Sequence, residues 1–212
     1  MIAHYRTLQQ LGSAEIIIKK SRFIGFATPV TTEEEAIQFI ERIKKEHWNA
    51  THNCSAYMIG ERDEIQKQSD DGEPSGTAGK PILEVIKNKG LKNVAIVVTR
   101  YFGGIMLGAG GLIRAYTDGA VVGIEAAGVI AQVLHREVSL TIDYTWLGKV
   151  ENELRNREMR MGETQFTDRV IVTIYPLSEE ADRFRDWLID LTQGQGEIHM
   201  GEEQYMVHHE FT

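Results

Sequence analysis

The sequence is poor in cysteine: Cys54 is the only one among 212 residues. A single cysteine excludes an intramolecular disulfide and any zinc site that needs several cysteines. A chain that folds without disulfides is typical of a reducing compartment. We therefore expect the protein to be cytoplasmic.

Long apolar runs are also missing. The longest run of aliphatic residues is Val-Ala-Ile-Val-Val at positions 94–98, whereas a membrane helix needs about 20 apolar residues. The first six residues do not show the charged and then apolar pattern of a secretory signal. We expect no membrane partner.

Basic residues are outnumbered, and the formal net charge is -8. Residues 1–135 contain 15 basic and 15 acidic side chains, whereas residues 136–212 contain 8 and 16. The excess negative charge therefore belongs to the second part of the chain. Because a neutral first part can still carry a local basic patch, the net charge does not exclude a nucleic-acid partner.

The hydrophobic pattern predicts an α+β protein with two domains. Up to about residue 130, strands are expected at 21–27, 53–59, 64–68 and 94–98, and helices near 32–47, 79–89 and 108–127. After about residue 135 the order becomes strand, helix, strand, strand, helix, strand, which is the split βαβ arrangement of a ferredoxin-like domain. We place the domains at 1–134 and 135–212.

Two glycine-rich segments stand out, at positions 70–80 and 100–114, and each appears immediately before or at a predicted helix start. Free N–H groups at a helix start favour an anion, and Lys80, Arg100 and Arg114 add positive charge. Neither segment matches a P-loop or a dinucleotide fingerprint: Pro74 replaces the first P-loop glycine, and Ile113 replaces the third fingerprint glycine. The glycines can alternatively serve only close packing and sharp turns.

Four separated motifs resemble the IMPACT family in its bacterial branch. The sequence contains KKSRFI at 19–24, HNCSAY at 52–57, DDGEPSGTAGKPIL at 70–83, and VTRYFGG at 98–104 followed by LGAGGL at 107–112. The resemblance implies an N-terminal domain like the second domain of small-subunit ribosomal protein five. It implies a C-terminal domain like the ferredoxin-like domains of elongation factor G.

The resemblance also implies a role in translation. Eukaryotic relatives are linked to the control of translation initiation through a starvation-sensing kinase, by way of a separate N-terminal domain, and that mechanism does not carry over to this sequence. A translation-linked protein that binds RNA or the ribosome through a glycine-rich, basic anion site is the first hypothesis. Its candidate residues are Lys20, Arg22, Ser75, Gly76, Thr77, Lys80, Arg100, Tyr101, Gly103, Gly104, Gly108, Gly110, Gly111 and Arg114.

An enzyme acting on a phosphorylated or carboxylated small molecule is the first alternative. Asp70, Asp71 and Glu73 can act as acid, base or magnesium ligands beside the glycine loop, although the same residues also favour turns and helix starts. His52 and Cys54 lie two apart on a predicted strand and resemble a base and a nucleophile, although a lone strand cysteine is more often simply buried. We expect no resident cofactor or metal.

A non-catalytic adaptor is the second alternative. In this interpretation the C-terminal domain binds a protein partner through an acidic helix face. Such a face is more often only solvated. The acidic residues are Glu179, Glu180, Asp182, Asp186 and Asp190.

Overall fold

The computed structural model describes residues 1–208. The strands, in chain order, are β1 (His4–Leu8), β2 (Gly12–Ile18), β3 (Ser21–Pro29), β4 (His52–Ile59), β5 (Ile65–Ser69), β6 (Val94–Tyr101), β7 (Val129–Ile142), β8 (Met161–Phe166), β9 (Val170–Ile174) and β10 (Glu197–His208). The helices are α1 (Glu33–Glu46), α2 (Gly79–Asn88), α3 (Gly108–Ala127), α4 (Tyr144–Asn156) and α5 (Ala181–Leu191).

The chain divides into two compact units. Tyr5–Ala131 form one, here the N-terminal unit, and Met1–His4 with Gln132–Val207 form the other, here the C-terminal unit. The boundary that we predicted after residue 134 falls inside β7, close to this division. Among residues 1–208, no helix is both long and apolar enough to cross a bilayer.

The N-terminal unit is built on an antiparallel sheet with the strand order β2-β3-β6-β4-β5. Side chains of the central strand β6 alternate between two apolar clusters. Val94, Ile96 and Val98 belong to the cluster that contains residues of α2 and α3, and Ala95 and Val97 belong to the one with residues of α1. The sheet is therefore covered by helices on both faces.

Helix α3 approaches strand β3 at backbone distance. A Cβ added to Gly25 would lie 1.9 Å from the carbonyl oxygen of Gly119, and one added to Gly123 would lie 2.9 Å from the carbonyl carbon of Gly25. The two helix glycines are four residues apart and so lie on one face. Glycine at these positions therefore allows the backbones of α3 and β3 to come into direct contact.

The C-terminal unit contains β7 to β10 with α4 and α5. Its sheet has the order β7-β9-β8, with β10 also paired to β7. Strand β9 lies antiparallel between β7 and β8, so it splits the β7-α4-β8 crossover as the split βαβ prediction requires. Alternating residues of β7 and β9, such as Leu140 and Val172, form its apolar core with α4 and α5.

The predicted α+β class and two-domain organisation are confirmed. The predicted strands differ from the observed ones near the N-terminus. Strands β1 and β2 were not predicted. Strand β2 is an edge strand in which Ile16 and Ile18 pack against the core and Ile17 between them is exposed, so the sequence itself shows no alternation of apolar and polar residues. At the start of α1, the Thr32 hydroxyl accepts from the Glu35 N–H at 3.2 Å, and the Glu35 carboxylate accepts from the N–H of Thr31.

The contact between α3 and β3 makes a prediction about two glycines. Gly25→Ala forces a methyl group onto the Gly119 carbonyl, so we expect a loss of at least about 3 kcal/mol in the free energy of unfolding. Gly110→Ala is the matched control, because a Cβ there meets nothing within 4 Å and alanine favours a helix by up to about 1 kcal/mol. Urea denaturation followed by circular dichroism measures both. Equal stability of Gly25→Ala and the wild type would contradict the packing described.

Candidate functional site

The first glycine-rich segment folds around the carboxylate of Asp70. Its two oxygens accept hydrogen bonds from the N–H groups of Gly76 at 2.8 Å, Ala78 at 3.1 Å and Gly79 at 2.8 Å. Helix α2 begins at Gly79 without a cap from its own N-cap side chain. Asp70 therefore occupies the amides that the sequence suggested for an external anion.

A buried ion pair ties the same segment to the sheet and to α3. One carboxylate oxygen of Glu73 accepts from Arg100 Nη1 at 2.7 Å and from the Tyr116 hydroxyl at 2.6 Å. Glu73 and Arg100 are 8 % and 5 % exposed, and Tyr116 is fully buried. Burial and the neighbouring Cys54 and Glu73 raise the pKa of Tyr116, which keeps its hydroxyl protonated as a donor.

Aromatic rings enclose the Arg100 guanidinium. Its central carbon lies 5.5 Å from the ring centre of Phe23 and 5.3 Å from that of Phe102. Its Nε is buried and has no hydrogen-bond partner among residues 1–208. Arg100 is thus held by one carboxylate and two ring faces, and it is not a surface cation as the sequence analysis assumed.

The remaining groups of the enzyme alternative also have structural partners. Asp71 accepts from the Asn53 N–H at 2.7 Å and pairs with Lys44 at 3.1 Å. His52 Nδ1 lies 2.8 Å from the Asp71 carbonyl oxygen and donates to it. Burial raises the pKa of the Cys54 thiol to about 12, so the thiolate needed by a nucleophile does not form near neutral pH. Across residues 1–208, no three or more His, Cys, Asp or Glu side chains are arranged to hold a metal ion.

The second glycine-rich segment is open. Helix α3 begins at Gly108 without a side-chain cap, and a Cβ at Gly104, Gly108 or Gly110 would meet nothing within 4 Å. Gly104 and Gly108 have φ of 84° and 71°, which explains their identity. Gly110 has neither a positive φ nor a close neighbour. Around them lie four exposed apolar side chains, namely Phe102, Ile105, Met106 and Ile113.

Two lysines form the tip of the β2-β3 hairpin. Ile18 pairs with Ser21, and Lys19 and Lys20 between them have φ of 45° and 67°. Two central residues with positive φ are typical of a type I′ turn, for which Asn-Gly is the favoured sequence. Both lysines are exposed, and the backbone of Lys20 packs against Gly103, where a Cβ would lie 2.1 Å from it.

Aromatic side chains lie next to this hairpin. Arg22 is the cross-strand partner of Tyr101, and its guanidinium lies 5.2 Å from the ring centre. The Tyr101 hydroxyl bonds to His47 at 2.8 Å and to Asn49 at 3.3 Å, which brackets the 81 % exposed Trp48. We call this surface the basic–aromatic edge; it comprises Lys19, Lys20, Arg22, Trp48, Tyr101 and Phe102.

Acidic groups at this edge are already paired. Glu15 accepts from Arg22 at 2.7 Å, and Asp71 pairs with Lys44, whereas no ion pair involves Lys19 or Lys20 within residues 1–208. The edge therefore has an uncompensated positive charge at its tip. Because solvent screens an exposed ion pair such as Glu15–Arg22, the pair contributes little to stability, and Arg22 can exchange it for a phosphate.

The other predicted site residues lie elsewhere on the N-terminal unit. Gly76 and Lys80 line a groove of about 290 Å³ together with Ile113 of α3, and Arg114 and Ser75 are exposed. Thr77 is buried and donates to the Pro74 carbonyl at 2.6 Å. Gly111 belongs to the first turn of α3. The structure thus brings Lys20, Arg22, Tyr101 and Gly103 together, whereas Gly76 and Lys80 line the separate groove beside α2.

Neither Trp48 nor the ion pair of Arg22 with Glu15, which a phosphate can replace, was predicted from the sequence. Trp48 lies two residues beyond the end of α1, outside the apolar stripe that the helix buries, and this position is the signal that the sequence offers. The acidic face proposed for the adaptor is partly neutralised, since Arg185 pairs with Asp182 at 3.1 Å and with Asp186 at 2.9 Å.

The Asp70 cap predicts a defined pH dependence. Burial raises the pKa of Asp70, but the three N–H donors outweigh it, and the net pKa lies below the usual value. The ionised carboxylate therefore stabilises the fold above about pH 4, and this contribution is lost as the pH falls further. Asp70→Asn should cost about 1–2 kcal/mol at pH 7. Urea denaturation from pH 7 to pH 3 should show this difference shrinking below pH 4, and a constant difference would contradict the cap.

The Glu73–Arg100 pair predicts strong coupling. Glu73→Ala leaves a buried arginine without a counter-charge and should cost about 3–5 kcal/mol. Glu73→Leu combined with Arg100→Met removes both charges and should cost clearly less than the sum of the single changes. Urea denaturation of the four proteins in this cycle measures the coupling. Additive losses would show that the two side chains do not depend on each other.

Similarity to known proteins extends over most of the chain. The family profile described as Impact N-terminal domain matches residues 19–124, and the one described as domain of unknown function DUF1949 matches residues 140–195. A solved structure titled "Crystal structure of an hypothetical protein" superposes with a TM-score of 0.61 at 28% identity, covering 95% of this chain and 98% of that one.

Three relatives show how far the similarity extends. "IMPACT family member YvyE" of Bacillus subtilis is 52% identical over 97% of this chain and 95% of its own length. "IMPACT family member YigZ" of Escherichia coli is 34% identical over 84% and 88%. "Protein IMPACT" of Rattus norvegicus is 34% identical, but over only 45% of this chain and 31% of its own length. The chain therefore belongs to the IMPACT family, in its bacterial branch.

Proposed function

We propose that this protein binds single-stranded RNA, free or within the ribosome, through the basic–aromatic edge, and that it serves a translation-linked role in the cytoplasm. The family resemblance motivates the role in translation. The edge supplies the chemistry, because lysines neutralise phosphates and exposed rings stack on bases.

The hairpin tip carries the proposal. Lys19 and Lys20 occupy the two positions of a type I′ turn, where Asn-Gly is more stable because both residues have positive φ. Residues held in sparsely populated backbone conformations cost about 1–3 kcal/mol and are typical of functional sites. Lysines at both positions therefore lower the stability of the turn relative to Asn-Gly. We attribute their presence to a need for positive charge at the hairpin tip.

The aromatic side chains indicate single-stranded RNA as the form that binds. Trp48 is 81 % exposed and Phe102 is 45 % exposed, and large exposed rings are accessible to unpaired bases but not to the interior of a duplex. Phe102 also lies over the Arg100 guanidinium. The buried Glu73–Arg100 pair thus gives this ring a rigid support.

The enzyme alternative receives no comparable support. Asp70 caps α2, Asp71 pairs with Lys44, and Glu73 pairs with Arg100. Because each carboxylate serves the fold, we propose no reaction for this site.

The hairpin allows an experiment in which stability and binding move in opposite directions. Lys19→Asn with Lys20→Gly should raise the free energy of unfolding by about 1 kcal/mol or more. The same change should weaken binding of a fluorescein-labelled uridine 12-mer at least about fivefold and lower the salt dependence by one or two phosphate contacts. Fluorescence anisotropy at several salt concentrations measures the affinity and its salt dependence, and urea denaturation measures the free energy of unfolding.

Two controls make the result specific. Lys87→Gln with Lys89→Gln removes the same charge at the far end of α2 and should leave RNA affinity unchanged. Trp48→Ala should weaken binding through loss of stacking, without changing the salt dependence. Absence of binding by the wild type at low salt, or equal weakening by the control pair, would refute the proposal.

A further inference from the structure

A groove of about 420 Å³ lies on the C-terminal unit, between the end of α4 and helix α5. Its apolar wall is formed by Met159, Pro176, Phe184 and Trp187. The charged residues in its lining are Arg157, Glu180 and Arg183. Its volume is in the range of small-ligand sites, and its mixture of apolar surface with a few charged groups is typical of them.

The two arginines have no carboxylate partner in the part of the chain that the structure describes. Three other arginines of the same unit, Arg155, Arg169 and Arg185, pair with carboxylates, and Arg136 and Arg160 donate to backbone carbonyls. The C-terminal segment has twice as many acidic as basic residues. Arg157 and Arg183 are both exposed and line one groove in this acidic segment, so their positive charges are available to a ligand.

Arg157 is pre-oriented by an aromatic ring. Its guanidinium carbon lies 4.2 Å from the ring centre of Trp187, and Trp187 is braced by Phe184 at 5.4 Å between ring centres. Stacking covers the face of the guanidinium and leaves the N–H groups at its edge available. A carboxylate can accept two of these hydrogen bonds at once.

We propose that this groove binds a monocarboxylate that carries an apolar or aromatic body. Arg157 and Arg183 contribute two positive charges and Glu180 one negative charge, so the net charge of the groove matches a single anionic group. A doubly charged phosphate would face Glu180 without a third cation. Beside the carboxylate, the apolar wall accepts the body of the ligand. The site is independent of the basic–aromatic edge and of RNA.

Isothermal titration of the full chain tests the site with N-acetyl-phenylalanine as the probe. N-acetyl-phenylalanine amide lacks the carboxylate and should bind about tenfold more weakly or not at all. Arg157→Gln and Arg183→Gln should each weaken binding of the acid by a similar factor. Arg185→Gln is the matched control, since Arg185 lies on the same helix but outside the groove, and it should bind as the wild type does. Circular dichroism establishes that each variant is folded.

A longer probe distinguishes a peptide carboxyl terminus from a free small molecule as the source of the carboxylate. If acetyl-Ala-Ala-Phe binds more tightly than the single amino acid, the ligand is the carboxyl terminus of a peptide, and equal affinity indicates a free small molecule. Either result supports the site. No saturable binding of the acid, equal binding of acid and amide, inorganic phosphate binding as tightly as the acid, or an equal loss in Arg185→Gln overturns it.

Discussion

Burial of the Glu73 carboxylate against Arg100 is the constraint on which the N-terminal unit depends. A charge inside an apolar core is tolerated only with a close counter-charge and with hydrogen bonds to its remaining acceptors. Glu73 obtains these from β6 and α3 at once. Three elements must therefore meet at Glu73: the segment between β5 and α2, the central strand β6 and the longest helix α3. If one of them moved away, Glu73 or Arg100 would lose a partner inside the core. Rings on both sides of the guanidinium restrict it further.

The two glycine-rich segments have different roles because their polar groups are satisfied differently. In the first, the Asp70 carboxylate accepts hydrogen bonds from the loop amides and the Glu73 carboxylate accepts one from Arg100. Few polar groups of this loop are therefore left to bind a ligand. In the second, α3 starts without a cap and Gly110 has no steric reason to lack a side chain. Phe102 joins the second segment to the buried pair. Rigidity in one segment thus positions an accessible ring in the other.

Much of the fold could be predicted from hydrophobic patterns and from helix signals. The continuous apolar run of β6 and the sequence of strands and helices after residue 135 both have local causes. Strand β2 could not be predicted in the same way, because its three consecutive isoleucines at positions 16–18 give no alternation in the sequence although their exposure alternates. The candidate site was predictable only in part. Glycine, lysine and aspartate in a motif do not reveal that the Asp70 carboxylate occupies the amides of its own loop, nor does the sequence around Arg100 reveal that its guanidinium is buried against Glu73.

The Asp70 cap has a consequence for the order of folding. Its acceptor and its three donors lie within ten residues of chain, so the loop can close on a timescale of about 10–100 ns. The bonds of Glu73 to Arg100 and Tyr116 span 27 and 43 residues and need the assembled sheet. A local contact of low entropic cost can therefore form the start of α2 early, and the charged pair closes around a segment that already has its turn.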